Sequence, residues 1–83
     1  MKNVYAKAHK LSSNNKTLLF NSEYCGCFYC TKIFNYYNIN EWIQDSIDET
    51  ALCPYCQIDS VIPNSPFYQL DTLFLEQMYK VWF

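Results

Sequence analysis

The chain contains no arginine, one histidine (His9) and one glycine (Gly26) among its 83 residues. Arginine is the side chain best suited to bidentate recognition of guanine edges and phosphate, so its absence argues against sequence-specific reading of DNA. A single histidine leaves no second imidazole around which an acid–base pair can be built, and His9, flanked by Lys7 and Lys10, reads as a solvated helix residue. No stretch approaches 18 consecutive apolar residues, and MKNVYAKAHKLSSNNK carries no apolar signal-peptide core. The expectation is a cytoplasmic protein with neither a membrane span nor a signal peptide.

What is present is 51% hydrophobic residues, 19% aromatic and 17% charged, a composition that is neither disordered nor fibrous. It suits one small domain spanning residues 1–83. A chain of this length buries about 60–65% of its unfolded surface, and its core alone contributes no more than about 3–5 kcal/mol of net stability. Such domains need a staple. Five cysteines, Cys25, Cys27, Cys30, Cys53 and Cys56, are the material for one. A reducing compartment disfavours disulfides, and five thiols cannot pair completely within one chain, so metal binding is the expectation.

The cysteines form two C-x-x-C units, Cys27-Phe-Tyr-Cys30 and Cys53-Pro-Tyr-Cys56, separated by 22 residues. Cysteines at that spacing lie on one tight turn, where both thiolates reach one ion while backbone N–H groups point at the sulfurs. Two such turns complete the tetrahedral S4 shell that Zn2+ accepts. Cys27, Cys30, Cys53 and Cys56 are therefore the expected ligands of one structural zinc, with no coordination position left for catalysis. Cys25 makes the first unit C-x-C-x-x-C; it reads as a spare buried thiol, with ligation or a redox role as alternatives. Cys-Pro-Tyr-Cys is also the active-site tetrapeptide of glutaredoxins. That motif opens a βαβ unit, however, and only 27 residues follow Cys56 here.

Charge is unevenly distributed. Lys2, Lys7, Lys10 and Lys16 give residues 1–22 a charge of +4, while Lys32 and Lys80 against eight acids leave residues 23–83 at −6. A zinc held by four thiolates would add −2 to the acidic part. The N-terminal lysines are the only positive patch available to a nucleic acid.

Val4, Ala8 and Leu11 follow helical spacing, and Asn15 to Phe20 suit a second short helix capped by Ser13 or Asn14. Tyr24 to Phe34 reads as a hairpin around the first cysteine turn. Asn38 with Glu41 has capping-box spacing ahead of Trp42 and Ile43, which predicts a helix of about two turns. Thr50–Leu52 and Ile58–Ile62 flank the second cysteine pair as strands, ended by Pro63-Asn64-Ser65-Pro66. The clearest helix follows Asp71, with Leu70, Leu73, Phe74, Met78, Val81 and Trp82 as the expected core stripe. A second apolar line, Leu75, Tyr79 and Phe83, is the expected surface for a homodimer or protein partner.

At these positions the chain resembles a zinc ribbon, in which two cysteine knuckles on β-hairpins clamp one ion. More closely, CGCFYC, EWI, TALCPYC with IDSVI, FLEQM and the final WF are similar to small bacterial and phage-type cytoplasmic zinc-ribbon proteins of unknown function. The similarity covers roughly His9 to Phe83. It departs at Thr31 and Gln57, where a glycine commonly follows the second cysteine of a knuckle to accept a positive φ. The expected fold is thus a small α+β zinc ribbon with N-terminal helical segments and a C-terminal amphipathic helix. The expected function is a non-enzymatic, zinc-stabilised interaction module, an adaptor or an inhibitor. A nucleic-acid-binding zinc ribbon is the alternative, with Phe28, Tyr29, Tyr36, Tyr37 and Tyr55 as candidate stacking residues, although a domain this small needs most such rings for its core.

Overall fold

The computed structural model of the chain describes residues 3–83. Its elements are α1 (Asn3–Lys10), α2 (Lys16–Ser22), β1 (Tyr24–Cys27), β2 (Ile33–Asn35), a 3-10 turn (Tyr36–Asn38), β3 (Glu41–Gln44), β4 (Glu49–Leu52), β5 (Val61–Pro63) and α3 (Thr72–Trp82). Antiparallel pairing makes two sheets, one of order β2-β1-β5 and the other the β3-β4 hairpin. Helices and antiparallel sheet combine in a small α+β architecture. No described helix is long and apolar enough to cross a membrane.

The central strand β1 is covered on both faces, and strand alternation divides its side chains between two cores. Cys25 and Cys27 point with Leu19, Phe34, Ile39, Ala51, Cys53 and Val61 into a core shared with α2 and the β3-β4 hairpin. On the other face Phe28 and Ile62 meet Ala8 of α1 and Leu75 and Met78 of α3. Gly26 lies between these last contacts: a Cβ there would come within 2.9 Å of one Leu75 methyl and 3.0 Å of a Leu70 methyl. The only glycine of the chain is therefore the dent in the sheet that seats α3.

That seat turns α3 away from the expected orientation. Leu70, Phe74 and Met78 do belong to or border the core, but Leu75, expected on the outer line, is fully buried. Leu73 and Val81, expected inside, are 65% and 52% exposed. Helical periodicity identifies apolar faces without saying which one meets the complementary dent, and here Gly26 decides. The N-cap is as expected, with the Asp71 carboxylate accepting from the Phe74 N–H at 2.8 Å.

Other departures have long-range causes. The segment after Asn38 is not a helix, because Glu41–Gln44 finds a backbone partner in Glu49–Leu52, with Trp42 opposite Ala51 and Ile43 opposite Thr50. The capping box forms earlier, from Asn35 to Asn38, around the 3-10 turn. Helix α2 is preceded by Asn15 rather than capped by Ser13 or Asn14, and its Thr17 N–H is taken by the Asp48 carboxylate at 3.1 Å. That bond and a second from the Glu49 N–H hold the Asp48 carboxyl below its ordinary pKa. Strand β5 is shorter than expected and includes Pro63, whose missing N–H is tolerated on an edge strand.

Leu75→Ala is expected to cost about 2–5 kcal/mol, the range for a large-to-small change in a close-packed core. Leu73→Ala should stay within about 0.5 kcal/mol, as an exposed substitution does. Denaturant unfolding of the metal-loaded variants checks the contrast, and similar losses for the two would contradict the seating described.

Candidate metal centre

Each C-x-x-C unit builds the same turn. In the first, which joins β1 to β2, the Tyr29 and Cys30 N–H groups donate to Cys27 Sγ at 3.4 and 3.5 Å, and the Thr31 N–H donates to the Cys27 carbonyl at 2.8 Å. In the second, the Tyr55 and Cys56 N–H groups donate to Cys53 Sγ at 3.3 and 3.5 Å, and the Gln57 N–H donates to the Cys53 carbonyl at 2.8 Å. Thr31 and Gln57 hold φ of 62° and 63°, so both knuckles adopt the left-handed residue that glycine usually supplies. A base-pair-like rung closes each turn, Cys27 N–H to Lys32 O and Cys53 N–H to Ile58 O.

The turns differ in their supports. The first caps a true hairpin of paired strands, as expected for a knuckle. The second departs from that expectation, because β4 pairs with β3 and β5 with β1, so Cys53–Cys56 links one sheet to the other. The cysteine cluster is thereby the crossing point of the fold.

The structure brings together the four cysteines singled out by their spacing. The sulfurs of Cys27, Cys30, Cys53 and Cys56 all lie within 4.8 Å of one another, with Cys27 to Cys56 and Cys30 to Cys53 each at 3.6 Å. A tetrahedral shell with bonds of about 2.3 Å requires sulfurs about 3.8 Å apart. The donor set and its spacing therefore fit one Zn2+, and all five thiols are free rather than paired in disulfides. Cys25 stands outside the cluster, fully buried behind Cys27 on the same face of β1. Burial pushes its thiol up to about 12, so it behaves as a small core residue.

Without a cation the cluster holds charge poorly. Burial opposes ionisation of Cys53, yet the N–H donors of Cys56 and Tyr55 and the neighbouring thiols outweigh it and hold that thiol below its ordinary value. Burial, joined by the negative charge that Cys53 then carries, raises Cys27 and Cys56. A thiolate is thus favoured at Cys53 and penalised at Cys27 and Cys56. A bound dication removes that penalty and, in the unfolded-to-folded balance, contributes on the order of 10 kcal/mol.

Ser60 is a neighbour of the cluster that spacing did not reveal. Its side chain is buried, and its Oγ lies 3.0 Å from Cys27 Sγ. It follows the second C-x-x-C by four residues, with no motif to mark it. His9, expected as a solvated helix residue, is exposed on α1, with its ring tilted against Trp82 at a centroid distance of 4.1 Å.

One zinc per chain is the expected result of elemental analysis, with loss of metal and of folding in Cys53→Ser and full metal retention in Cys25→Ala. Because ligation requires thiols to give up protons, zinc uptake should release protons, and acidification should expel the metal. Titration in buffers of different ionisation enthalpy and a chromogenic chelator read both; full zinc occupancy in a folded Cys53→Ser chain would contradict the assignment.

Comparisons with family models, with curated proteins and with solved structures find no match, so the reading of this centre rests on its own geometry.

Proposed function

We propose that the protein is a non-enzymatic interaction module of the zinc-ribbon kind, with Zn2+ on Cys27, Cys30, Cys53 and Cys56 as its structural staple. A closed S4 shell supplies a rigid platform and leaves no open coordination position, which supports binding over metal-centred catalysis. A cytoplasmic setting, where thiols stay reduced, goes with this reading.

The observation that carries it is an exposed aromatic cluster built directly on the first knuckle. Tyr29 sits between the two cysteines and packs on Phe83 at 4.9 Å and on Tyr79 at 5.7 Å, and Tyr79 meets Phe83 at 5.5 Å. All three remain exposed, at 40%, 41% and 58% for Tyr29, Tyr79 and Phe83. Rings already immobilised by one another lose little conformational entropy on contact with a partner, and such anchors dominate protein interfaces. Tyr79 and Phe83 thus keep the docking role expected for them, with Tyr29 added; Leu75 is removed from it by burial. The partner class is a protein, including a second copy of the chain, and an adaptor or an inhibitor is the role this suits.

The nucleic-acid alternative draws less support. Lys16 is engaged with the Glu49 carboxylate at 3.4 Å and lies over the Trp42 ring, and Lys7 lies over Phe67. These contacts leave fewer cations free for phosphates.

The double variant Tyr79→Lys, Phe83→Lys should keep its zinc and its unfolding midpoint while losing the protein recovered by the wild type from its native host. Loss of two aromatic anchors is expected to weaken that complex by about 2 kcal/mol or more, roughly 30-fold. Mass spectrometry identifies the partner, light scattering reports self-association, and binding measured on the purified pair gives the ratio. An unchanged affinity would overturn this docking face, and sub-micromolar binding to single-stranded nucleic acid at physiological salt would favour the alternative.

A further inference from the structure

The two knuckles are near copies of each other in backbone, yet their sulfurs are not equivalent. Cys53 Sγ receives two backbone N–H groups, from Tyr55 and Cys56. Cys27 Sγ receives the corresponding two, from Tyr29 and Cys30, and a third contact from the Ser60 hydroxyl at 3.0 Å. That third contact is the shortest of the five. Both of its atoms belong to residues almost wholly removed from solvent, Ser60 at 1% and Cys27 at 0% exposure, so water cannot replace it.

We infer that Ser60 is a positioning residue of the metal centre, whose hydroxyl donates to the Cys27 thiolate and sets how tightly the four-sulfur site holds its metal. The inference rests on the zinc reading above. A thiolate has no proton, so once Cys27 ligates, the hydroxyl is the only donor of the pair. Among the described residues no other partner is found for Ser60 Oγ, which leaves its proton for the sulfur. The backbone fixes the donor as well: the Phe28 N–H binds the Ser60 carbonyl at 3.0 Å, tying the serine to the residue that follows Cys27. Ser60 also immediately precedes β5, whose Val61 is registered opposite Cys27. Two neighbouring contacts with the same short segment leave the side chain little freedom.

A hydrogen bond to a ligating sulfur stabilises its negative charge and lowers the energy of its lone pairs. Outer partners of metal ligands of this kind commonly change metal affinity by about 10–100-fold. The knuckle amides cannot be deleted by side-chain substitution, but this donor can. It belongs to the chain's second half and grips the ligand of the first, so it acts on the sulfur that joins the two.

Ser60→Ala should bind Zn2+ about 10-fold more weakly in competition with a chelator of known affinity. In the Co2+-loaded form its sulfur-to-cobalt charge-transfer bands should move to lower energy, while the ligand-field bands that report a tetrahedral four-sulfur shell stay in place. Ser60→Thr, which keeps the hydroxyl, should restore the wild-type band positions. A general loss of packing would not shift charge-transfer energy with the ligand field unchanged. The 113Cd-loaded wild type gives the same reading without substitution: a correlation between the Ser60 hydroxyl proton and the metal is expected beside those of the Tyr29 and Cys30 amides. Wild-type zinc affinity and charge-transfer bands in folded Ser60→Ala, or amide correlations with none from Ser60, would overturn this inference alone. A wild-type chain that takes up no metal would overturn it together with the zinc reading.

Discussion

The convergence of four sulfurs within 4.8 Å is the constraint on which the rest of this fold depends. Two small sheets with different strand partners have no continuous hydrogen-bond ladder between them. They are joined where the turn after β1 faces the turn after β4, and each turn offers two cysteines to the other. Thiols at such a distance pack as small apolar groups only while they are neutral. A metal dication reverses the electrostatics, converting mutual repulsion of thiolates into shared attraction to one centre. Such an ion would hold the sheets together at the cysteine turns, between strands that do not pair with each other.

The same constraint bears on two of the four described non-glycine residues with positive φ. Thr31 and Gln57 stand at φ of 62° and 63°, and Thr31 is β-branched, the kind of side chain that resists that region most. A left-handed L-residue costs roughly 1–2 kcal/mol, so the two together cost a few kcal/mol. Metal binding supplies about 10–16 kcal/mol in comparable sites, enough to hold both turns in a conformation their residues disfavour. Each turn is also fastened by the 2.8 Å bond from the strained residue's N–H to the first cysteine's carbonyl. Glycine is therefore dispensable in these knuckles, and the chain keeps its single Gly26 for the seat of Leu75.

What could be read from the sequence was local. Cys27 with Cys30 and Cys53 with Cys56 are each separated by one turn, so spacing alone carries their geometry. Asp71 caps a helix whose first turn begins at the next residue, again a neighbouring relation. The misread features involve distant partners. Glu41–Gln44 is a strand because residues 49–52 lie opposite it, and its local capping signal yields to that pairing. Leu75 is core because Gly26, far away in sequence, leaves room for it. Ser60 touches Cys27 across 33 positions, and nothing beside Ser60 marks it. The two cysteine turns were legible for the reason that their supports were not: each turn pairs residues at a short interval, while packing joins residues that sequence order separates.

Asn15 shows how the protein aligns the two strands that the second knuckle joins. Its buried Nδ2 donates to the carbonyls of Leu11 and Val61, both at 2.9 Å, and its Oδ1 accepts from the Ala51 N–H at 3.1 Å. Its own N–H donates to the Glu49 carbonyl at 2.9 Å. One amide therefore touches β4 of the hairpin and β5 of the larger sheet, the same two strands that the second knuckle connects. Three side-chain hydrogen bonds at a net value of about 1 kcal/mol each cannot order a chain whose conformational entropy opposes folding by about 1–2 kcal/mol per residue. They can select one arrangement of the sheets once something stronger has brought them together. A metal on the four cysteines would supply the attraction and Asn15 the alignment: the amide ties Ala51 to Val61 at the two ends of the β4-to-β5 segment, and the second knuckle lies between them.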